Sequence, residues 1–143
     1  MEEPPSPPFD LDRALAGLAG KRSLLVYTHD NPDPDALAAA LGLQRLAEHE
    51  LGMTTTLTYG GIVGRAQNRA MVENLKMPLT PIERIDLAQF EAIALVDSQP
   101  ETGNNSLPHG HRIDVVIDHH PLRLPGFFHQ CACLGYARGV VIR

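Results

Sequence analysis

The chain has 143 residues, 43% of them apolar and 20% charged, with a net charge of −5. That length suits one domain with a real core, and the composition excludes a wholly disordered or collagen-like chain. The acidic balance argues against a surface that wraps duplex nucleic acid, though not against a small anionic substrate held by metal ions.

Residues 1–9 carry four prolines and two glutamates and are expected to form a flexible arm. This acidic, proline-rich start is unlike a secretory signal, and no apolar run reaches the roughly 18 residues of a membrane span. A cytoplasmic protein without a membrane partner is therefore expected. From Asp10 the apolar residues Leu11, Ala14, Leu15, Leu18 and Ala19 fall at helical spacing, with Gly20 as the stop. Residues 23–28 form a short apolar run rich in β-formers, which predicts a buried strand. Asp33 then reads as an N-cap with Pro34 at the first helical position. The helix that follows runs to about Leu51, with Leu37, Ala40, Leu41 and Ala47 toward the core. Residues 54–59 read as a second strand closed by the turn Gly60-Gly61. Residues 65–76 look helical, and 87–90 make a short turn. Residues 93–96 and 113–117 are two further apolar strands. Strands alternating with helices predict an α/β fold: a wound, mainly parallel sheet flanked by helices.

The far end differs. No Asp or Glu follows Asp118, and both cysteines, Cys131 and Cys133, lie there, so no disulfide framework is expected. No capped helix can be read in it, and Val140-Val141-Ile142 resembles a stub of strand. Residues 126–143 are expected not to pack as a native element.

Three strand ends carry hard metal ligands. His29 leaves the first strand, and Asp33 and Asp35 sit at the proline-stiffened turn into the helix. Asp97 follows the strand ending at Val96, and Asp118-His119-His120 follows Ile117. In open parallel sheets ligands bind beyond the carboxyl ends of the strands, so all three clusters should fall on one edge. Mixed imidazole and carboxylate sets suit Mn²⁺ or a similar divalent ion better than Ca²⁺. Two such ions about 3.5–4 Å apart serve phosphoryl hydrolysis. An aspartate at a central strand end, as Asp97 is, can bridge both. Taken singly, Asp33 is an ordinary N-cap, Asp118-His119-His120 a satisfied loop, and His49 and His109 surface residues. Three such clusters, each closing a predicted strand, are hard to obtain by chance.

His29-x-x-x-Asp33-x-Asp35-Ala36, then Val96-Asp97, then Asp118-His119-His120-Pro121 resembles the DHH phosphoesterase superfamily, over about residues 23–125. Tyr59-Gly60-Gly61, Gly64-Arg65-x-x-Asn68-Arg69-Ala70 and Asp97-x-Gln99-Pro100-x-x-Gly103-Asn104-Asn105-Ser106 look most like its oligoribonuclease/pAp-phosphatase branch. The resemblance implies two Mn²⁺ ions, with Mg²⁺ as a substitute: His29, Asp33 and Asp97 hold one, and Asp35, Asp97 and His119 the other. It implies catalytic roles for His120, facing the scissile phosphate, and for Asp118, orienting His119. Asn31 and Arg65 would contact a small nucleotide or short oligonucleotide substrate, and Arg65 reads equally as a surface helix residue.

The family places a further aspartate ligand after the triplet and a C-terminal DHHA1 domain beyond that. Neither is found here. The resemblance thus implies an incomplete DHH domain over residues 10–125, followed by an atypical tail at 126–143 from truncation or a frameshift; a short stand-alone domain with a divergent tail is the alternative. Two functions stay open: a Mn²⁺-dependent phosphoesterase, its activity weakened by the missing ligand, or a metal- or nucleotide-binding module without turnover.

Overall fold

A computed structural model of the chain describes residues 11–120 and 133–136. The elements are α1 (Leu11–Leu18), β1 (Ser23–Tyr27), α2 (Pro34–Leu51), β2 (Thr54–Tyr59), α3 (Ala66–Asn74), β3 (Leu79–Pro81), β4 (Ala92–Val96), β5 (Val115–Asp118) and β6 (Cys133–Tyr136), with 3₁₀ turns at Ile82–Arg84 and Leu87–Gln89. They build one sheet in the order β3-β2-β1-β4-β5-β6, and every neighbouring pair is parallel. The predicted wound α/β architecture is what the chain adopts.

The chain moves outward from β1 to β2 and β3, then returns to lay β4 on the other side of β1. The strand order therefore reverses between β1 and β4, and a crevice opens there beyond the strands' carboxyl ends. Ser23 pairs with Thr54 and Leu24 with Ala92, so β1 lies at the centre, buried from Leu24 to Tyr27.

α2 shows how sequence sets an element that carries the site. Asp33, extended at φ −97 and ψ 176, accepts a 3.0 Å bond from the Ala36 N–H, and Pro34 starts the helix. Gly52 ends it in the left-handed region at φ 63, where glycine is unstrained. The face bearing Ala36, Leu37, Ala40, Leu43 and Ala47 is buried against Leu24, Val26, Leu57, Ala94 and Val96. Full burial of each such leucine stabilises by about 1.5–3 kcal/mol. The other sheet face, through Leu25, Tyr27, Ile93, Leu95 and Val116, is covered by Ile82, Ile85, Leu87, Phe90 and Leu107 from the turns and loops.

At the edge away from the crevice, buried Asp114 accepts from Lys21 Nζ at 2.5 Å and from the Ile93 N–H at 3.0 Å, and pairs with Arg112 Nε at 3.0 Å. These contacts pin the entry of β5. Two strands depart from the sequence reading. β3 is three residues long and ends on Pro81 at the sheet edge, where a missing N–H is harmless. β6 lies inside the tail expected not to pack: Val115 pairs with Cys133 and Asp118 with Tyr136, so at residues 133–136 the sheet continues past residue 125, while the rest of 126–143 lies outside the described residues. The predicted arm at 1–9 and the stub at 140–142 lie outside the described residues. No helix among the described residues is long and apolar enough to cross a membrane.

Candidate metal centre

The three ligand-bearing clusters meet at the carboxyl edge around Asp97. Its backbone leaves β4 in the left-handed region at φ 56, held by a 2.8 Å bond from its N–H to the Ile117 carbonyl. Aspartate tolerates that region better than most residues, and such strain in a non-glycine residue clusters at functional sites. The Asp97 side chain is only 7% exposed, so its charge demands compensation. Imidazoles supply it. His29 Nε2 lies 3.5 Å from Oδ2, His119 Nε2 lies 3.0 Å from Oδ1, and His120 Nδ1 lies 3.9 Å from Oδ1. Burial raises the Asp97 carboxyl, but the bond with His29 and the charges of His119 and His120 outweigh it and hold the group below its usual range. The Asp97 bond pushes His29 up to about 9, against its burial.

Two groups of donor atoms each lie within 4.8 Å of one another: His29, Asp33 and Asp97; and Asp97, His119 and His120. His29 Nε2 is also 3.7 Å from Asp33 Oδ1, while its Nδ1–H donates to the Asp30 carbonyl at 2.8 Å. That second bond fits metal binding, since a ligating histidine donates its other N–H to a fixed acceptor, which sets the tautomer. Mixed imidazole and carboxylate donors, one carboxylate common to both groups, fit a pair of transition-type divalent ions.

Of the residues read from the sequence, His29, Asp33, Asp97, His119 and His120 come together. Asp35 does not join either group. It is exposed in the first turn of α2, where its side chain follows the helix rotation while Asp33 remains in the loop. His120 takes its place in the second group.

The partner of Asp118 is also corrected. Its Oδ1 lies 2.7 Å from His120 Nδ1, so it orients His120 rather than His119. Asn31 Oδ1 accepts from the Ile62 N–H at 3.0 Å, which ties its loop to the turn after β2. Arg65 stands exposed at the N-cap of α3 without a side-chain capping bond.

Sequence reasoning gave no role to three supporting residues. Buried Gln99 donates from Nε2 to Asp118 Oδ2 at 2.7 Å and so fixes the carboxylate that orients His120. Asn68 Nδ2 donates to the Pro32 carbonyl at 3.1 Å, fastening α3 to the His29–Asp33 loop. Asp30 accepts from Tyr27 Oη and from Ser106. Only the polar character of Gln99, set directly behind an apolar strand, hinted at such a role.

Comparison with known proteins agrees with this geometry. The model of the DHH family, N-terminal domain, matches residues 23–137, which includes β6. The uncharacterized protein MJ1633 of Methanocaldococcus jannaschii is 43% identical over 101 residues, covering 70% of this chain and 20% of that protein. The chain thus spans about a fifth of the length of that relative. With the strand ends, the triplet and the family match in agreement, the chain belongs to the DHH family.

Proposed function

We propose that this domain hydrolyses a phosphoester bond in a small nucleotide or short oligonucleotide, using two Mn²⁺ ions, in the manner of the oligoribonuclease/pAp-phosphatase branch. The carrying observation is Asp97, a single buried carboxylate common to two donor groups. His29, Asp33 and Asp97 would hold one ion, and Asp97, His119 and His120 would supply donors to the second. Such a pair, when bound, supplies hydroxide near neutral pH and a clamp on the phosphoryl oxygens.

The chain's own residues do the rest. Asp118 holds Nδ1 of His120, which leaves Nε2 to meet the scissile phosphate or the second ion. Arg65, on an exposed turn, neutralises a substrate phosphate, and Asn31, its Oδ1 held by the Ile62 N–H, turns its amide nitrogen to donate to the substrate.

One observation favours a second reading, a metal- or nucleotide-binding module without turnover: with Asp35 outside both groups, the second has a single carboxylate. Manganese titration of the purified chain, followed by assay on adenosine 3′,5′-bisphosphate and on a short oligoribonucleotide, separates the two. Two ions and phosphate release support the enzyme; one ion without release supports the binder; no manganese binding refutes both.

A further inference from the structure

We propose that Asp30 is a positioning residue of the metal centre: its carboxylate anchors the His29–Asp33 loop, and its carbonyl orients His29. The inference rests on the two-ion reading for its consequence, and on geometry alone for the anchoring itself.

An acidic residue between two candidate ligands invites assignment as a third. The contacts argue otherwise. Asp30 Oδ1 accepts from Tyr27 Oη at 2.9 Å and from the Ser106 N–H at 3.1 Å, and Oδ2 accepts from Ser106 Oγ at 2.6 Å. Three protein donors thus engage the carboxylate, and Asp30 belongs to neither donor group. Its N–H donates to the Asn104 carbonyl at 2.7 Å. Side chain and backbone together bind the β1–α2 loop to the polar segment between β4 and β5. Burial holds the Tyr27 phenol above its usual range, so it stays a neutral donor here, even though the Ser106 N–H works in the opposite direction.

The turn after β2 closes over this carboxylate. A Cβ at Gly60 would collide with Asp30 Oδ1 and would lie 2.8 Å from Tyr27 Oη. Glycine is needed there for close approach rather than for a positive φ. Each residue between His29 and Asp33 is therefore fastened to a different segment: Asp30 to Ser106, Asn31 to Ile62, and Pro32 to Asn68. Asp30 matters most to chemistry, because its own carbonyl takes the His29 Nδ1–H and so points Nε2 at Asp33 and Asp97. Shifting Asp30 rotates a ligand.

A positioning carboxylate and a ligating one respond differently to the amide isostere. Asp30→Asn keeps an oxygen for Tyr27 Oη and the Ser106 N–H, and its amide nitrogen donates to Ser106 Oγ. Manganese affinity, measured by calorimetry on the full chain, should stay within about threefold of wild type. Asp30→Ala should weaken it about 10–100-fold, the usual effect of losing an outer support of a metal ligand. Gly60→Ala should weaken it similarly, and the Asp30→Ala/Gly60→Ala pair should fall short of the sum of the two single losses, because the nearer collision partner is gone and only Tyr27 Oη remains. Asp30→Asn as damaging as Asp30→Ala would make Asp30 a charged ligand and overturn the proposal. So would unchanged affinity in both Asp30→Ala and Gly60→Ala. Should Asp30→Ala not fold, Gly60→Ala and Ser106→Ala decide by the same criterion.

A metal-free readout separates this from the two-ion reading. The His29 Nδ1–H proton, followed by NMR in chelator, should persist in wild type and Asp30→Asn and be lost or shifted in Asp30→Ala. Its persistence in Asp30→Ala overturns the orienting role. A wild type that shows this proton yet binds no manganese refutes the two-ion reading alone.

Discussion

Replacing Asp97 with Asn removes one negative charge while keeping a residue that tolerates φ 56. The consequence for the metal-free chain can be worked from His29. The bond with Asp97 lifts that imidazole from its ordinary value of 6.5 to about 9. At about 1.4 kcal/mol per pH unit, the acceptors facing His29, Asp97 foremost and then the Asp30 carbonyl and Asp33, together stabilise the folded chain by about 3 kcal/mol. Because the folded value is the higher one, this contribution is fully present below about pH 6.5 and is lost as pH rises through about 9. Urea unfolding in chelator should therefore show the advantage of wild type over Asp97→Asn larger at pH 6 than at pH 9.5 by about 1–3 kcal/mol, equivalent to about 2–12 °C in Tm for a chain of this size. Manganese affinity runs the other way. An ion at His29 displaces its proton, so apparent affinity should rise about tenfold per pH unit between about 6.5 and 9. A stability gap of equal size at both pH values would refute the ion-pair reasoning.

Asp118→Asn should lower manganese affinity about 10–100-fold, as loss of an outer support does, whereas Asp97→Ala should abolish it, since Asp97 serves both donor groups; calorimetry compares them. Gln99→Leu strips the donor from Asp118 Oδ2 and should destabilise the chain by about 1–3 kcal/mol, read by urea unfolding. Gly52→Ala, at φ 63, should cost about 1 kcal/mol with manganese affinity unchanged, because the C-cap lies at the far end of α2 from Asp33.

Much of this was legible because local chemistry and global fold agree. Asp33-Pro34 marks the start of α2, buried apolar runs mark β1 and β4, and β-branched threonines before a Gly-Gly turn mark β2. The strand ends alone put His29, Asp97 and His119 on one edge. Asp35 stands outside both donor groups, and spacing along the chain says nothing of rotation about a helix axis. The bond of Asp118 to His120 rather than to His119 depends on the bend that follows β5, which the sequence does not announce. β3 and β6 were illegible for a different reason: Leu-Thr-Pro and Cys-Leu-Gly-Tyr are too short, and carry too much Pro or Gly, to announce a strand. The roles of Gln99 and Asp30 depend on contacts with Asp118 and Ser106, far along the chain, which no local pattern encodes.

The all-parallel sheet also bears on how the site comes into being. Leu24 meets Ala92 across β1 and β4, and no hairpin shortens the path between them. Pairings so distant in sequence form late and slowly. During synthesis His29 and Asp33 emerge long before Asp97, and the second donor group waits for His119 and His120. An ion captured at this edge therefore acts on the finished domain: it lengthens the native state's lifetime and does little to hasten its assembly.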